Sequence, residues 1–222
     1  MNLLLTSGGL RNETLRDALR DLLGKPFASA NVVYIPTASV AEPGDHGWLL
    51  ADMTRVQALG WREFDVLELN GLPQRMVLDR LLHADVIYAG GGNHYHLARS
   101  ITLNGLTDGF LEALESRVYV GLSAGSMIFS RNLTEHSADV IGDSADLHAL
   151  GTKTVESPFG RFDWYLKPHL DSSDFPERDD AWADRIVERA DFPIYFIDDD
   201  TALRVRDDEV DVVSEGRWRF HQ

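Results

Sequence analysis

Short apolar runs alternate with amphipathic segments through the first 130 residues, and few folds accommodate that alternation. The run NLLLT leads into Ser7-Gly8-Gly9 and then into NETLRDALRDLLG. The spacing of the latter predicts a helix with Asn12 as N-cap and Gly24 at its end. NVVYIPT, REFDVLEL, DVIYAGGGN and VYVGLS predict further strands. Between and after them, GWLLADMTRVQALG, PQRMVLDRLLHA, HYHLARSI, LTDGFLEALES and AGSMIFS carry helical spacing, with Pro73 at the start of the second. Strand–helix alternation of this kind predicts an α/β fold, a mostly parallel sheet with helices on both faces.

Beyond residue 130 the pattern weakens. Residues 131–164 are polar and glycine-containing and give no assignment. DDAWADRIVERA predicts a helix; PIYFID, TALRVR, EVDVVSEG and RWRFHQ predict short strands ending in a C-terminal antiparallel meander. No repeat or linker interrupts the chain. Its 222 residues, 44% hydrophobic, fit one α/β domain over 1–222.

Acidic residues outnumber basic ones 36 to 21, a net charge of −15. Such a surface repels phosphate backbones and anionic lipids, so neither nucleic acid nor a membrane is expected as partner. There is no apolar run of about 18 residues, and the start lacks a basic n-region. With no cysteine there is no disulfide, thiol nucleophile or thiolate metal site. A cytoplasmic location is the expectation. His94 and His96, two apart on a helix, point in different directions, so no metal pair is expected, and no cofactor.

One short stretch carries chemistry. Gly121-Leu122-Ser123-Ala124-Gly125 lies between a strand and a helix, the pattern of a nucleophile elbow. Small neighbours let the serine project from a sharp turn, and the helix that follows aims amides at developing negative charge. Such a serine needs a base, and the base an orienting acid. Of eight histidines, His169 in LKPHLDSSD follows a strand-like run, whereas His46, His83, His136 and His148 have no informative context. Asp198-Asp199-Asp200 directly follows PIYFI; mutual repulsion of three carboxylates at a strand end implies a specific partner for at least one. The glycines of AGGGN, residues 89–93, let backbone amides approach a ligand, as half of an oxyanion hole with the Ala124 N–H. Two rival readings remain. An α/β-hydrolase esterase orders its triad serine, acid, histidine, which Ser123, Asp199 and His221 satisfy. A binding protein could carry the same elbow without catalysis.

Together these segments resemble one family. GLSAGS resembles the Gly-x-Ser-Ala-Gly elbow of the S51 serine peptidases, the peptidase E (aspartyl dipeptidase) and cyanophycinase family. YAGGGNHYHL is similar to that family's Gly-Gly-Gly-Asn loop, LKPHLD to its Asn-Pro-His segment, and FIDDDTALRV to its Gly-Ile-Asp-Glu-x-Thr-Ala-Leu stretch. The resemblance implies a class I glutamine-amidotransferase-like sandwich and a Ser-His-acid triad. It places Ser123 as nucleophile, His169 as base, and the amides of Gly91, Gly92 and Ala124 at the oxyanion. The family's glutamate falls on Asp199, one methylene shorter, so Asp198 and Asp200 stay open as the acid, with Asp139 and Asp171 behind them. Asn93 and Arg178 are the substrate-binding candidates. The expected substrate is a short peptide, and the expected state a monomer or homodimer. The family's aspartyl dipeptidases need a cation beyond the histidine, where this chain reads DSSDFPERDDAWADR. Local carboxylates are expected to hold Arg178 toward solvent, leaving neutral N-terminal residues accepted at least as well as aspartate.

Overall fold

The computed structural model describes residues 1–222. The early apolar runs form β1 (Asn2–Thr6), β2 (Asn31–Ile35), β3 (Glu63–Val66), β4 (Val86–Ala89) and β5 (Val118–Leu122). They pair in parallel in the order β3-β2-β4-β5-β1. β1, β2, β4 and β5 are covered on both faces, which is why their sequences are continuously apolar rather than alternating. β3 is the edge strand, short and partly exposed, with Glu63 turned outward.

Alternate residues face opposite sides. Leu3 and Leu5 join Val33, Ile35, Ile87 and Tyr119 in one core. Leu4 joins Val32, Tyr34, Tyr88 and Val120 in the other. The second core is closed by α1 (Glu13–Leu23) and α2 (Gly47–Gln57). Asn12 caps α1 through the Leu15 N–H, and Gly24 ends it in a left-handed conformation. The first core takes α3 (Gln74–His83), α4 (His94–Leu103), α5 (Thr107–Leu114) and α6 (Ala124–Met127). Each fully buried leucine in these cores contributes roughly 1.5–3 kcal/mol.

Residues 131–164, unassigned from sequence, contain α7 (Glu135–Ile141) and α8 (Ser144–Ala149). α7 opens on a Thr134–Ser137 capping box and ends at left-handed Gly142. Neither helix is long enough to show a clear period. Then come β6 (Tyr165–Pro168), α9 (Asp180–Val187), β7 (Ile194–Ile197), β8 (Thr201–Arg206), β9 (Glu209–Ser214) and β10 (Trp218–His221). β8 adds antiparallel to β1, and β9 to β8. The last strands are antiparallel as expected, but they divide between two sheets. β10 returns to β7, which also pairs in parallel with β6, making a separate three-stranded sheet. The chain therefore crosses from the small sheet to the large one at Asp198-Asp199-Asp200. No helix is long and apolar enough to cross a membrane.

Candidate active site

The chemistry-bearing residues gather where α/β sheets place them, beyond the carboxyl ends of strands. Ser7 follows β1, Gly91 and Gly92 follow β4, Ser123 follows β5, His169 follows β6 and Asp199 follows β7.

Ser123 has φ 47° and ψ −103°, a conformation rare for any residue with a side chain. Strain of this type costs on the order of 1–3 kcal/mol and must be held in place by its surroundings. Two glycines make the turn feasible. A Cβ on Gly121 would lie 2.6 Å from the Ser126 nitrogen, and one on Gly125 would collide with the Ala89 carbonyl. The Ser123 N–H donates to the Thr6 carbonyl at 3.0 Å, fastening the elbow to the end of β1. The Ser126 hydroxyl donates to that same carbonyl at 2.8 Å.

Ser123 Oγ lies 2.9 Å from His169 Nε2, and His169 Nδ1 lies 2.7 Å from Asp199 Oδ1. An ionised carboxylate only accepts, so Nδ1 carries the proton and Nε2 is free to accept the serine O–H. His169 is also in the left-handed region, with φ 69°. Its ring stacks on Phe175 at 4.5 Å between centroids.

Asp199 takes four donors. Besides His169 they are the Ser7 hydroxyl at 2.8 Å, the Ser172 hydroxyl at 2.6 Å and Arg11 Nη1 at 3.0 Å. The Ser7 oxygen also accepts the His169 backbone N–H at 2.8 Å, so one hydroxyl ties base and acid together. Gly8 is required here, since a Cβ would meet the Asp199 backbone oxygen at 2.6 Å. Burial by itself would raise the Asp199 carboxyl. His169, Ser172 and Ser7 outweigh it and hold the group well below the usual carboxylate range. Burial pushes the His169 imidazole below its ordinary value; Asp199 opposes this, while Arg178 and Lys167 add to it.

The neighbouring acids have other partners. Asp198 accepts from the Thr201 hydroxyl at 2.6 Å and the Asp200 N–H at 3.1 Å, and so caps the crossing turn. Asp200 meets Asn12 at the surface. Asp139 pairs with Arg189, and Asp171 with Arg217. His221 sits in β10 opposite Ile194, so the structure does not bring it to Ser123.

A cleft of about 740 Å³ opens over Ser123 and His169, with Gly91 and Gly92 in its wall. Gly92 has φ 126°, and a Cβ there would collide with the Ala38 carbonyl. The N–H groups of Gly91 and Gly92 have no protein acceptor. Ala124 heads α6 directly after the serine.

Two expectations are corrected, Asn93 as a substrate contact and the outward orientation of Arg178. Asn93 is buried and spent at both ends of its carboxamide. It accepts the His96 N–H at 2.9 Å as the cap of α4 and donates to the Asp146 carbonyl at 3.0 Å. Arg178 does not turn to solvent among its acidic neighbours. Its side chain is 18% exposed, with only a 3.8 Å approach to Glu177. The guanidinium lies 4.1 Å from the Phe175 ring centroid and lines the cleft. Stacking on the Phe175 face outcompetes solvated carboxylates.

Sequence reasoning also missed Lys167 and Asp143. Lys167 Nζ donates to both Asp143 oxygens at 2.6 and 2.7 Å in the buried wall of the cleft. Close by, Tyr165 OH meets His94 Nε2 at 3.0 Å, and burial pushes His94 down to about 4. Twenty-odd residues separate the two ends of the ion pair, with no local pattern to link them.

The model of peptidase family S51 matches residues 3–213. The chain belongs to peptidase family S51. It is thus a serine-type peptidase. Among S51 relatives, peptidase E of Streptomyces coelicolor is 26% identical over 211 residues, covering 94% of this chain and 82% of that protein. The Drosophila melanogaster protein named probable alpha-aspartyl dipeptidase is 29% identical over 209 residues, covering 92% and 82%. A crystal structure from Listeria monocytogenes EGD-e named for peptidase E superposes with a TM-score of 0.77 at 22% identity, covering 97% of this chain and 98% of that one. That likeness shows the S51 chain's fold.

Proposed function

We propose that this peptidase hydrolyses short peptides through an acyl-enzyme on Ser123. The observation that carries the reading is the unbroken relay from Ser123 Oγ through His169 to Asp199. His169 Nε2 takes the serine proton as Oγ bonds to the scissile carbonyl carbon. Asp199 holds the imidazole in the required tautomer and balances the imidazolium. The Gly91, Gly92 and Ala124 amides face the oxygen that becomes negative. The imidazolium then gives its proton to the leaving amine as the C–N bond breaks. Water, deprotonated by the same nitrogen, releases the acyl group.

The substrate class is narrowed by Arg178. A guanidinium fixed in the cleft wall is suited to a carboxylate side chain on the substrate's N-terminal residue. This agrees with the name of the Drosophila relative. The test is hydrolysis of Asp-Leu and Ala-Leu by wild type, Ser123→Ala and Arg178→Ala, with fluorophosphonate labelling alongside. Ser123→Ala should lose on the order of 10⁴–10⁶ in turnover and all labelling. Arg178→Ala should abolish a preference for Asp-Leu while keeping hydrolysis of Ala-Leu. Activity within tenfold of wild type in a folded Ser123→Ala protein would refute the mechanism.

A further inference from the structure

The cleft holds two other arginines, Arg11 and Arg55, that the relay does not explain. Both flank the turn after β1. Arg11 packs against Gly8, where a Cβ would meet its Cδ at 2.6 Å, and a Cβ on Gly9 would lie 3.6 Å from Arg55 Nη1. That turn is the nucleophile's immediate neighbour, because the Thr6 carbonyl accepts the Ser123 N–H.

Each guanidinium is anchored at one nitrogen and open at the others. Arg11 Nη1 donates to Asp199 Oδ2 at 3.0 Å, and Arg55 Nη1 to Asp52 Oδ1 at 3.0 Å. Their remaining N–H groups meet no protein acceptor, and their side chains are 44% and 33% exposed into the cleft. Two arginines elsewhere on this acidic chain show the closed alternative. Arg80 and Arg217 each commit two nitrogens to acceptors, Arg80 to Asp65 and Arg217 to Asp171 and Asp180. Asp52 is itself a rigid anchor, buried and receiving the Tyr34 and Tyr88 hydroxyls at 2.9 and 3.2 Å. A cation held by one nitrogen on a fixed carboxylate, with its other donors facing a cleft, is preorganised for an anionic ligand.

We propose that Arg11 and Arg55 form a carboxylate subsite that takes the free C-terminal carboxylate of the peptide. The inference rests on the peptidase reading above and adds what limits substrate length. Arg178 already serves an acidic side chain on the other residue. The Glu42 and Asp146 carboxylates line the same cleft without a hydrogen bond or ion pair and suit the substrate's ammonium end. A dipeptide would then be recognised at both termini, and a longer chain would place a neutral amide where the subsite requires a charge.

The experiment compares kcat/KM for Ala-Leu and Ala-Leu-amide in wild type, Arg55→Gln and the paired variant Asp52→Asn/Arg55→Gln. The pair guards against destabilisation by an unpartnered buried Asp52. Each acid-to-amide ratio is internal, so partial misfolding does not alter it. Wild type should favour the free acid by at least about thirtyfold, the worth of a charge-assisted pair, and the ratio should fall below about threefold in both variants. No discrimination in wild type, or a ratio that survives in the variants, overturns the subsite. A loss of Asp-Leu preference in Arg55→Gln with the acid-to-amide ratio intact also overturns it, assigning the arginine to a side-chain carboxylate. Failure of the peptidase reading looks different, since wild type would then turn over neither these peptides nor Asp-Leu. In that event calorimetric titration of Ser123→Ala with Ala-Leu and its amide decides the subsite alone. Tighter binding of the acid that is lost on adding Arg55→Gln supports it, and equal or absent binding overturns it.

Discussion

Two carboxylates in one cleft wall, Asp199 and Asp143, make opposite use of a buried negative charge. Both are drawn below the usual carboxylate range in spite of burial, which by itself would raise them. Asp143 achieves this against Lys167, with both oxygens engaged and the lysine side chain 2% exposed; burial pushes the lysine below its ordinary value and Asp143 opposes that. Asp199 faces a histidine and draws on two serine hydroxyls and one exposed arginine. The first arrangement fixes a charge pair that fastens the start of α8 to β6. The second stabilises an anion while leaving its neighbour free to gain and lose a proton. A base must be balanced by a charge without being saturated by it, and neutral hydroxyl donors supply that compromise.

Swapping each acid for its amide should separate the two roles. Asp199→Asn should lower turnover by about 10⁴, because an amide favours the wrong imidazole tautomer. Asp143→Asn should spare turnover and lower the denaturation midpoint, and an equal loss of turnover at unchanged stability would erase the distinction. Removing the other partner sharpens it. Lys167→Met leaves an uncompensated buried carboxylate and should destabilise by about 3–5 kcal/mol in urea denaturation, whereas Lys167→Met/Asp143→Leu should recover most of that.

The two regions also meet through pH. In the proposed mechanism the reactive form of His169 is the neutral one, and its value is depressed, so activity should hold below pH 6.5 and fall only as pH drops through that lowered value. Arg178 and Lys167 contribute to the depression. Arg178→Gln should therefore move the acid limb of kcat/KM upward, read from its pH profile on Ala-Leu. An unmoved limb would mean that these cations do not reach the base. The smallest effect belongs to the surface acid next door. Asp200→Asn should leave kcat/KM within about twofold, as surface changes of roughly 0.5 kcal/mol do.

The sequence was most legible where one local rule sufficed. Asn12 and Gly24 bracket α1, and Gly121 and Gly125 mark the elbow, since each requirement is confined to a few neighbouring residues. Ser123, His169 and Asp199 were reached through the motifs that resemble family S51, and the structure brings all three together. What escaped depends on distance along the chain. Lys167 and Asp143, or Ser7 and Asp199, are joined only by tertiary folding. Arg178 was misplaced because its guanidinium stacks on Phe175 and meets just one local carboxylate, Glu177, at 3.8 Å. Asn93 carried the look of a ligand contact, but its position before a helix assigned it to capping. α7 and α8 were hidden by their shortness and polarity, though Thr134 and Gly142 signalled the ends of α7.

The interleaving of the two sheets bears on how the protein is made. Ser123 leaves the ribosome 46 residues ahead of His169, which precedes Asp199 by a further 30. Its elbow rests on β1, whose other edge stays open until β8 arrives to pair with it. His169 belongs to the small sheet, and Asp199 sits where the chain steps back to the large one. A nascent chain can thus build the nucleophile's whole turn and still have no base beside it. The proposed relay is complete only when translation has passed the crossing and both sheets have docked, so a chain truncated before Asp199 lacks it.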